Sequence, residues 1–260
     1  MPIGPARMPL LDHLGELRRR LTIIVVSVVL TALIVYAATP VLIDFMMDPI
    51  KSALPEGSHL MVLTVLGGFT IRFKVAIFFG VIIAAPVIIW EVLGFFLPAL
   101  RPNEQKWVIP TVAAMVFLFL FGMAFCYVVI QQAAVGWMID QITDFAAVAP
   151  DAEDYLNIIM LLEIGFGFAF QLPLVIFYLS IFHIVPYKIF RQQWRIIYVG
   201  LLIISSVVTP DASPVTMILM FAALVALYEV ALCVARYILI ARHGKASLKW
   251  TREEYADHTN

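Results

Sequence analysis

Charge is what this chain has least of. Asp, Glu, Lys and Arg make up 13% of its 260 residues, where a soluble domain carries roughly a quarter. Hydrophobic residues make up 63% and the mean hydropathy is +0.97, so a soluble fold is excluded and an integral membrane protein expected. The formal net charge of −1 leaves no basic excess to attract nucleic acid. Cysteine is scarce as well. Cys126 and Cys233 both fall inside apolar runs, which excludes a disulfide framework and a metal site and leaves two small buried hydrophobes as the expectation. Catalytic patterns are missing too: no G-x-S-x-G, no H-E-x-x-H, no phosphate-binding glycine loop. The histidines, His13, His59, His183, His243 and His258, are scattered near run ends and tails. Neither an enzyme nor a cofactor is expected, and no inverted repeat of the kind found in many transporters is present.

What the chain does have is long apolar runs. Six are read as spans, at about 21–38, 73–97, 107–130, 155–182, 196–208 and 215–235. Most reach the roughly 20 residues that a bilayer requires, but the fifth does not. The first exceeds the roughly 7–15 residues of a cleaved leader and is followed by five more, so it stays as a span. Residues 245–260 form a polar, charged tail expected to be disordered. The whole chain is one six-span membrane domain.

Lysine and arginine orient it. Arg7, Arg18, Arg19 and Arg20 precede span one; Arg101 and Lys106 follow span two; Lys188, Arg191 and Arg195 follow span four. Arg236, Arg242, Lys245, Lys249 and Arg252 follow span six, whereas the opposite side has only Lys51, Arg72 and Lys74. Both termini are therefore expected in the cytoplasm. The outer segment from Pro40 to Gly68 is too long and apolar for a plain linker. Val41, Leu42, Phe45 and Met46 suggest a surface helix stopped by Pro49, and a second outer helix is expected over 133–142.

Polar groups inside or beside the spans are the candidate functional residues. Before span one, Leu10, Leu14, Leu17 and Leu21 form an apolar helical stripe, and Glu16 stands three and four residues ahead of Arg19 and Arg20. Glu104 follows span two at the same membrane face. Two carboxylates at interfacial depth are suited to clamp a pair of guanidinium groups by charge-assisted bonds. Glu91 lies near the inner end of span two. Glu163 has no basic residue in its own span, so it is either protonated or faces water or another helix. Gln171 lies eight residues later on a similar face, and Pro173 is expected to kink the helix just beyond it. Glu229 stands seven residues before Arg236, which makes that arginine its expected partner.

The residues His13-Leu14-Gly15-Glu16-Leu17-Arg18, Asp48-Pro49-Ile50 and Ala85-Pro86-Val87 through Gly94-Phe95 carry a resemblance. So do Pro98-Ala99-Leu100 with Glu104, Phe168-Ala169-Phe170-Gln171-Leu172-Pro173, and Thr209-Pro210-Asp211. In this order and spacing the chain resembles the TatC family, core subunits of the twin-arginine protein translocase, over nearly its whole length. The resemblance implies six helices in a concave, glove-like arrangement with an outer cap and short fifth and sixth spans, in the bacterial inner membrane. It implies a receptor for the twin-arginine signal peptides of folded proteins, homo-oligomeric and associated with TatB. TatA assembles there, and transport is driven by the protonmotive force. Glu104 matches the principal acid contacting the arginine pair, Glu16 a second acid, and Arg18 and Phe95 residues lining that site. Pro49 and Asp211 match structural positions of the outer face. Many members have glutamate where this chain has Gln171; here Gln171 is expected to bond a TatA or TatB helix while Glu163 supplies the intramembrane acid. The family docks TatB on spans five and six, so 199–208 and 219–227 are partner-surface candidates. The alternative is a small-solute or ion transporter with Glu163 and Gln171 on its pathway, but spans one, three and five offer too few polar positions to line one. An intramembrane enzyme would need a nucleophile and base at matched depth, and no such pair is evident.

Overall fold

Helices account for nearly all of the computed structural model, which describes residues 10–54, 60–96, 108–143, 149–181, 184–210, 213–244 and 248. In chain order they are α1 Leu10–Tyr36, α2 Thr39–Ala53, α3 Gly67–Phe96, α4 Val108–Phe125 and α5 Gln131–Thr143. They continue with α6 Ala152–Ala169, α7 Leu172–Ile181, α8 Tyr187–Gln192, α9 Trp194–Val208 and α10 Pro214–His243. A π-helical turn, Cys126–Ile130, joins α4 to α5. Five stretches among the described residues are long and apolar enough to cross a membrane: Leu14–Tyr36, Gly67–Phe95, Val108–Ile142, Ala152–Ile181 and Pro214–Ala241. The remaining apolar helix is α9, whose 15 residues rise about 22 Å against a hydrocarbon core of about 30 Å.

The chain divides into two compact units. The first holds the chain up to Leu120 together with Val148–Met160. Its main seam joins α1 to α3, where Gly80 makes the close approach possible: a Cβ there would lie 2.9 Å from the backbone nitrogen of Ala32. The Thr31 hydroxyl uses that proximity to donate to the Gly80 carbonyl at 2.9 Å. Such a bond ties two helices where lipid offers no competing partner. At the far end of α3, Lys74 donates to Glu153 at 2.8 Å and to Asn157 at 2.9 Å. The Tyr155 hydroxyl donates to the Met46 carbonyl at 3.0 Å, which holds α2 to the start of α6. Met61 and Asp151 form an isolated parallel bridge.

Pro49 does not stop α2 as expected. It is buried inside the helix, which runs on to Ala53 and closes with Leu54 N–H on the Ile50 carbonyl at 3.0 Å. Pro49 forfeits its own donor and crowds the carbonyl four residues back, and this amphipathic helix is kept nonetheless by what its buried face packs against.

The second unit comprises Phe121–Ala147 and Leu161 onwards. Its core is organised by α10, whose Met220, Leu224, Tyr228, Leu232 and Leu239 recur at helical spacing and are all buried. They meet Leu162, Phe166 and Phe170 together with Leu201 of α9. The Tyr228 hydroxyl donates to the Phe190 carbonyl at 3.0 Å and so pins α8 to α10. Ser213 caps α10, accepting from Thr216 N–H at 3.1 Å with Pro214 at the first helical position. The sixth apolar helix is not short. It continues past Ala235 for 30 residues in all, because Ala235 and Leu239 keep its buried stripe going. Cys126 is buried as expected, but Cys233 is exposed. The expected tail lies almost wholly outside the described residues.

Candidate functional site

The N-terminal end of α1 is helical from Leu10, so Glu16 and Arg20 stack one turn apart on one face. Arg20 donates its Nε and Nη2 to the same Glu16 carboxylate oxygen, at 3.0 and 2.7 Å. Its Nη1 donates across to Glu91 Oε2 of α3 at 3.0 Å. One guanidinium thus holds two carboxylates, with side-chain exposures of 22% for Arg20, 24% for Glu16 and 14% for Glu91. Gly94 makes room for it, since a Cβ there would meet Arg20 Nη1 at 2.2 Å. The triad sums to one net negative charge. Of the two arginines expected to pair with Glu16, Arg20 does so, while Arg18 and Arg19 are exposed. Leu14, Leu17 and Leu21 of the apolar stripe are exposed as well.

Phe95 is half-buried on α3, beside Gly94 and one turn beyond Glu91. Glu104 lies outside the described residues, as do Pro98 and Asp211. The structure therefore brings together Glu16, Arg20, Glu91 and Gly94, with Phe95 adjacent. Sequence spacing pairs Arg20 with Glu16 but does not join Glu91 to them. The signal was present, because both face the same membrane side and each is charged at the edge of an apolar run.

The second polar centre is inside the membrane-spanning region. Glu163 is buried, and the Gln131 amide donates to its Oε1 at 2.8 Å. Of the alternatives open to Glu163, the structure has it facing another helix. Gln131 follows directly on the π-helical turn Cys126–Ile130, and such a turn shifts the register of the side chains after it. Gln131 Oε1 is buried without a hydrogen-bond partner among the described residues. Gln171 sits at the break between α6 and α7, where its carbonyl accepts from Leu174 and Val175 N–H, each at 3.1 Å. Its side-chain amide donates back to the Gly167 carbonyl at 3.4 Å. The expected kink is thus a full interruption of the helix, with Pro173 in the first turn of α7.

Glu229 does not pair with Arg236. Its carboxylate accepts from Arg191 of α8 at 2.8 Å and from the Tyr198 hydroxyl of α9 at 2.9 Å, and Arg236 is exposed. Seven residues along a helix is about 10.5 Å of rise, a longer reach than the gap to a neighbouring helix. Among the described residues no cluster of His, Cys, Asp and Glu could hold a metal ion.

The chain is similar to known proteins of one family. The sequence model of the family described as Sec-independent protein translocase protein (TatC) matches residues 12–222. The Sec-independent protein translocase protein TatC of Deinococcus radiodurans is 31% identical over 234 residues, covering 89% of this chain and 87% of that protein. The protein of the same name from Escherichia coli strain K12 is 31% identical over 203 residues, 78% of each chain. A solved structure described as the crystal structure of the twin-arginine translocase receptor TatC superposes with a TM-score of 0.72 at 26% identity, covering 86% of this chain and 98% of that one. Its helices, its sequence and its fold agree, and this multi-pass membrane protein belongs to the TatC family of Sec-independent protein translocase proteins.

Proposed function

We propose that this chain is the signal-peptide receptor and core subunit of a twin-arginine translocase in a bacterial inner membrane, with both termini in the cytoplasm. The observation that carries this reading is the acidic triad at the head of α1 and the foot of α3. Arg20 holds Glu16 and Glu91 at one depth and leaves the group net negative. Glu16 Oε1 takes both bonds from Arg20, which leaves its second oxygen for an incoming guanidinium. Glu104 supplies the principal acid for the arginine pair, and Arg18 and Phe95 line the site. The triad supports this reading, since a carboxylate at this face already receives one guanidinium; the signal peptide brings two more.

The partners are TatB, against α9 and α10, and TatA, recruited when cargo is bound. The receptor is homo-oligomeric, and the protonmotive force drives transport of the folded cargo. Gln171, at the break in the fourth span, offers its amide to a partner helix, and Glu163 is the intramembrane acid, held in place by Gln131. The test is export of a folded reporter bearing a twin-arginine signal, in cells whose only translocase is this chain with its cognate TatA and TatB. Export abolished by Glu104→Ala and by dissipating the protonmotive force supports the reading. Export unchanged in both cases overturns it.

A further inference from the structure

Beside the α1–α3 seam the first unit carries a groove of about 450 Å³ whose lining is almost entirely apolar. Ala32 and the buried Ala76 form its floor, and their small side chains are what open it. Val29, Leu33, Phe73 and Ile77 form walls that are exposed, at 51%, 69%, 52% and 38%. Tyr36 and Phe69 stand at the end away from the arginine-rich turn of α1, and the amphipathic ring of Tyr36 suits a bilayer interface. From Tyr36 to Val28 the groove runs eight residues, about 12 Å along α1. One leaflet of hydrocarbon is about 15 Å deep, half of a core of about 30 Å. The groove thus begins at an interface, ends near mid-bilayer and matches one leaflet in depth.

A cation stands at its head. Arg72 is not itself a lining residue, but it lies three residues beyond Phe69 and four before Ala76 and so neighbours both on α3. It is exposed, and among the described residues no ion pair or hydrogen bond engages it, whereas its neighbour Lys74 is bound to Glu153. A long arginine at this depth extends its guanidinium to the headgroup level. An apolar slot one leaflet deep beneath an unpaired guanidinium has the chemistry of an anionic phospholipid, with an acyl chain below and a phosphate-bearing headgroup above.

We infer that the α1–α3 groove is a binding site for one anionic phospholipid of the leaflet opposite the N-terminal turn, its chain lying over Ala32 and Ala76 and its phosphate held by Arg72. On the orientation proposed above this is the outer leaflet, although the site itself does not depend on that orientation. The lipid fills the surface beside the α1–α3 seam, and so bears on the packing of the first span rather than on peptide recognition.

The test uses the full-length protein in nanodiscs containing phosphatidylglycerol or phosphatidylcholine, each with a photoreactive diazirine in the acyl chain, and maps labelled peptides by mass spectrometry. Labelling concentrated on 28–36 and 69–77 is expected, with phosphatidylglycerol favoured about five-fold, the effect of one basic residue near a headgroup. Arg72→Gln should abolish the preference and leave labelling by either lipid in place. Ala76→Leu should fill the floor and remove the labelling while thermal unfolding stays within a few degrees. Equal labelling by both lipids that Arg72→Gln leaves unaltered would overturn the headgroup assignment. Labelling spread evenly over all lipid-facing helices, or displacement of the lipid by a twin-arginine peptide, would overturn the site.

Discussion

Replacing Gly94 by alanine tests whether the acidic triad is a coupled unit. The added Cβ would lie 2.2 Å from Arg20 Nη1, so the guanidinium must withdraw from α3. Its bonds to Glu16 lie within α1 and can survive, but the 3.0 Å bond to Glu91 cannot. A hydrogen bond between charged groups is worth about 1.5–3 kcal/mol, and partial exposure of both partners brings this towards about 1.5–2 kcal/mol. Against it stands the helix-propensity gain of alanine over glycine, up to about 1 kcal/mol. Gly94→Ala should therefore destabilise the protein by about 0.5–1 kcal/mol. In an Arg20→Ala background the same change meets no guanidinium and should stabilise it by up to about 1 kcal/mol. The sign reversal amounts to a coupling energy of about 1.5–2 kcal/mol, measured by denaturant unfolding in mixed micelles across the four proteins of the cycle. Additive effects, with a coupling below about 0.5 kcal/mol, would refute the account of Gly94 as room made for Arg20.

Glu163→Gln should leave stability nearly unchanged, because a second amide can both accept from Gln131 and donate to its unpartnered oxygen; reporter export should nevertheless fall, and unchanged export would remove Glu163 from the mechanism. Gln131→Leu deprives the buried carboxyl of its donor and should cost about 1–3 kcal/mol in the same unfolding assay. Tyr228→Phe leaves the Phe190 carbonyl without its hydroxyl donor and should cost about 1 kcal/mol, with earlier proteolysis around α8 as the local readout. Arg191→Met should cost no more than about 1 kcal/mol because the pair with Glu229 is partly exposed. Arg236→Met should cost nothing measurable in the same unfolding assay, and the opposite ranking would restore the intrahelical pairing.

The spans were legible because apolar runs of bilayer length have few other readings. The brevity of the fifth is visible in the 13-residue run 196–208 ahead of Thr209-Pro210, and the helix found there has 15. Partners were harder, because which helix lies beside which is not a property of a one-dimensional pattern. For Glu229 the sequence offers Arg236 as the nearest basic residue of its own helix, yet α8 presents Arg191 at 2.8 Å. Gln131 carries no signal in the sequence, because it stands just beyond the end of the third apolar run and the π-helical turn that precedes it leaves no mark in residue spacing. Pro49 misled for a different reason: local propensity argued for a stop, and the buried face of α2 prevailed. At the acidic site the residue types were readable from charge at the edge of apolar runs, but the sharing of Arg20 between Glu16 and Glu91 needed the α1–α3 crossing to be known.

The central claim is that carboxylates at the arginine-rich face of the first two spans recognise paired guanidinium groups. It is tested most directly by measuring the affinity of the purified protein in nanodiscs for a twin-arginine signal peptide and for its twin-lysine counterpart, with Glu104→Ala and Glu16→Ala variants alongside. Tighter binding of the arginine peptide is expected, with that preference lost in Glu104→Ala and weakened in Glu16→Ala. Equal affinity for both peptides, unaffected by either substitution, would contradict it.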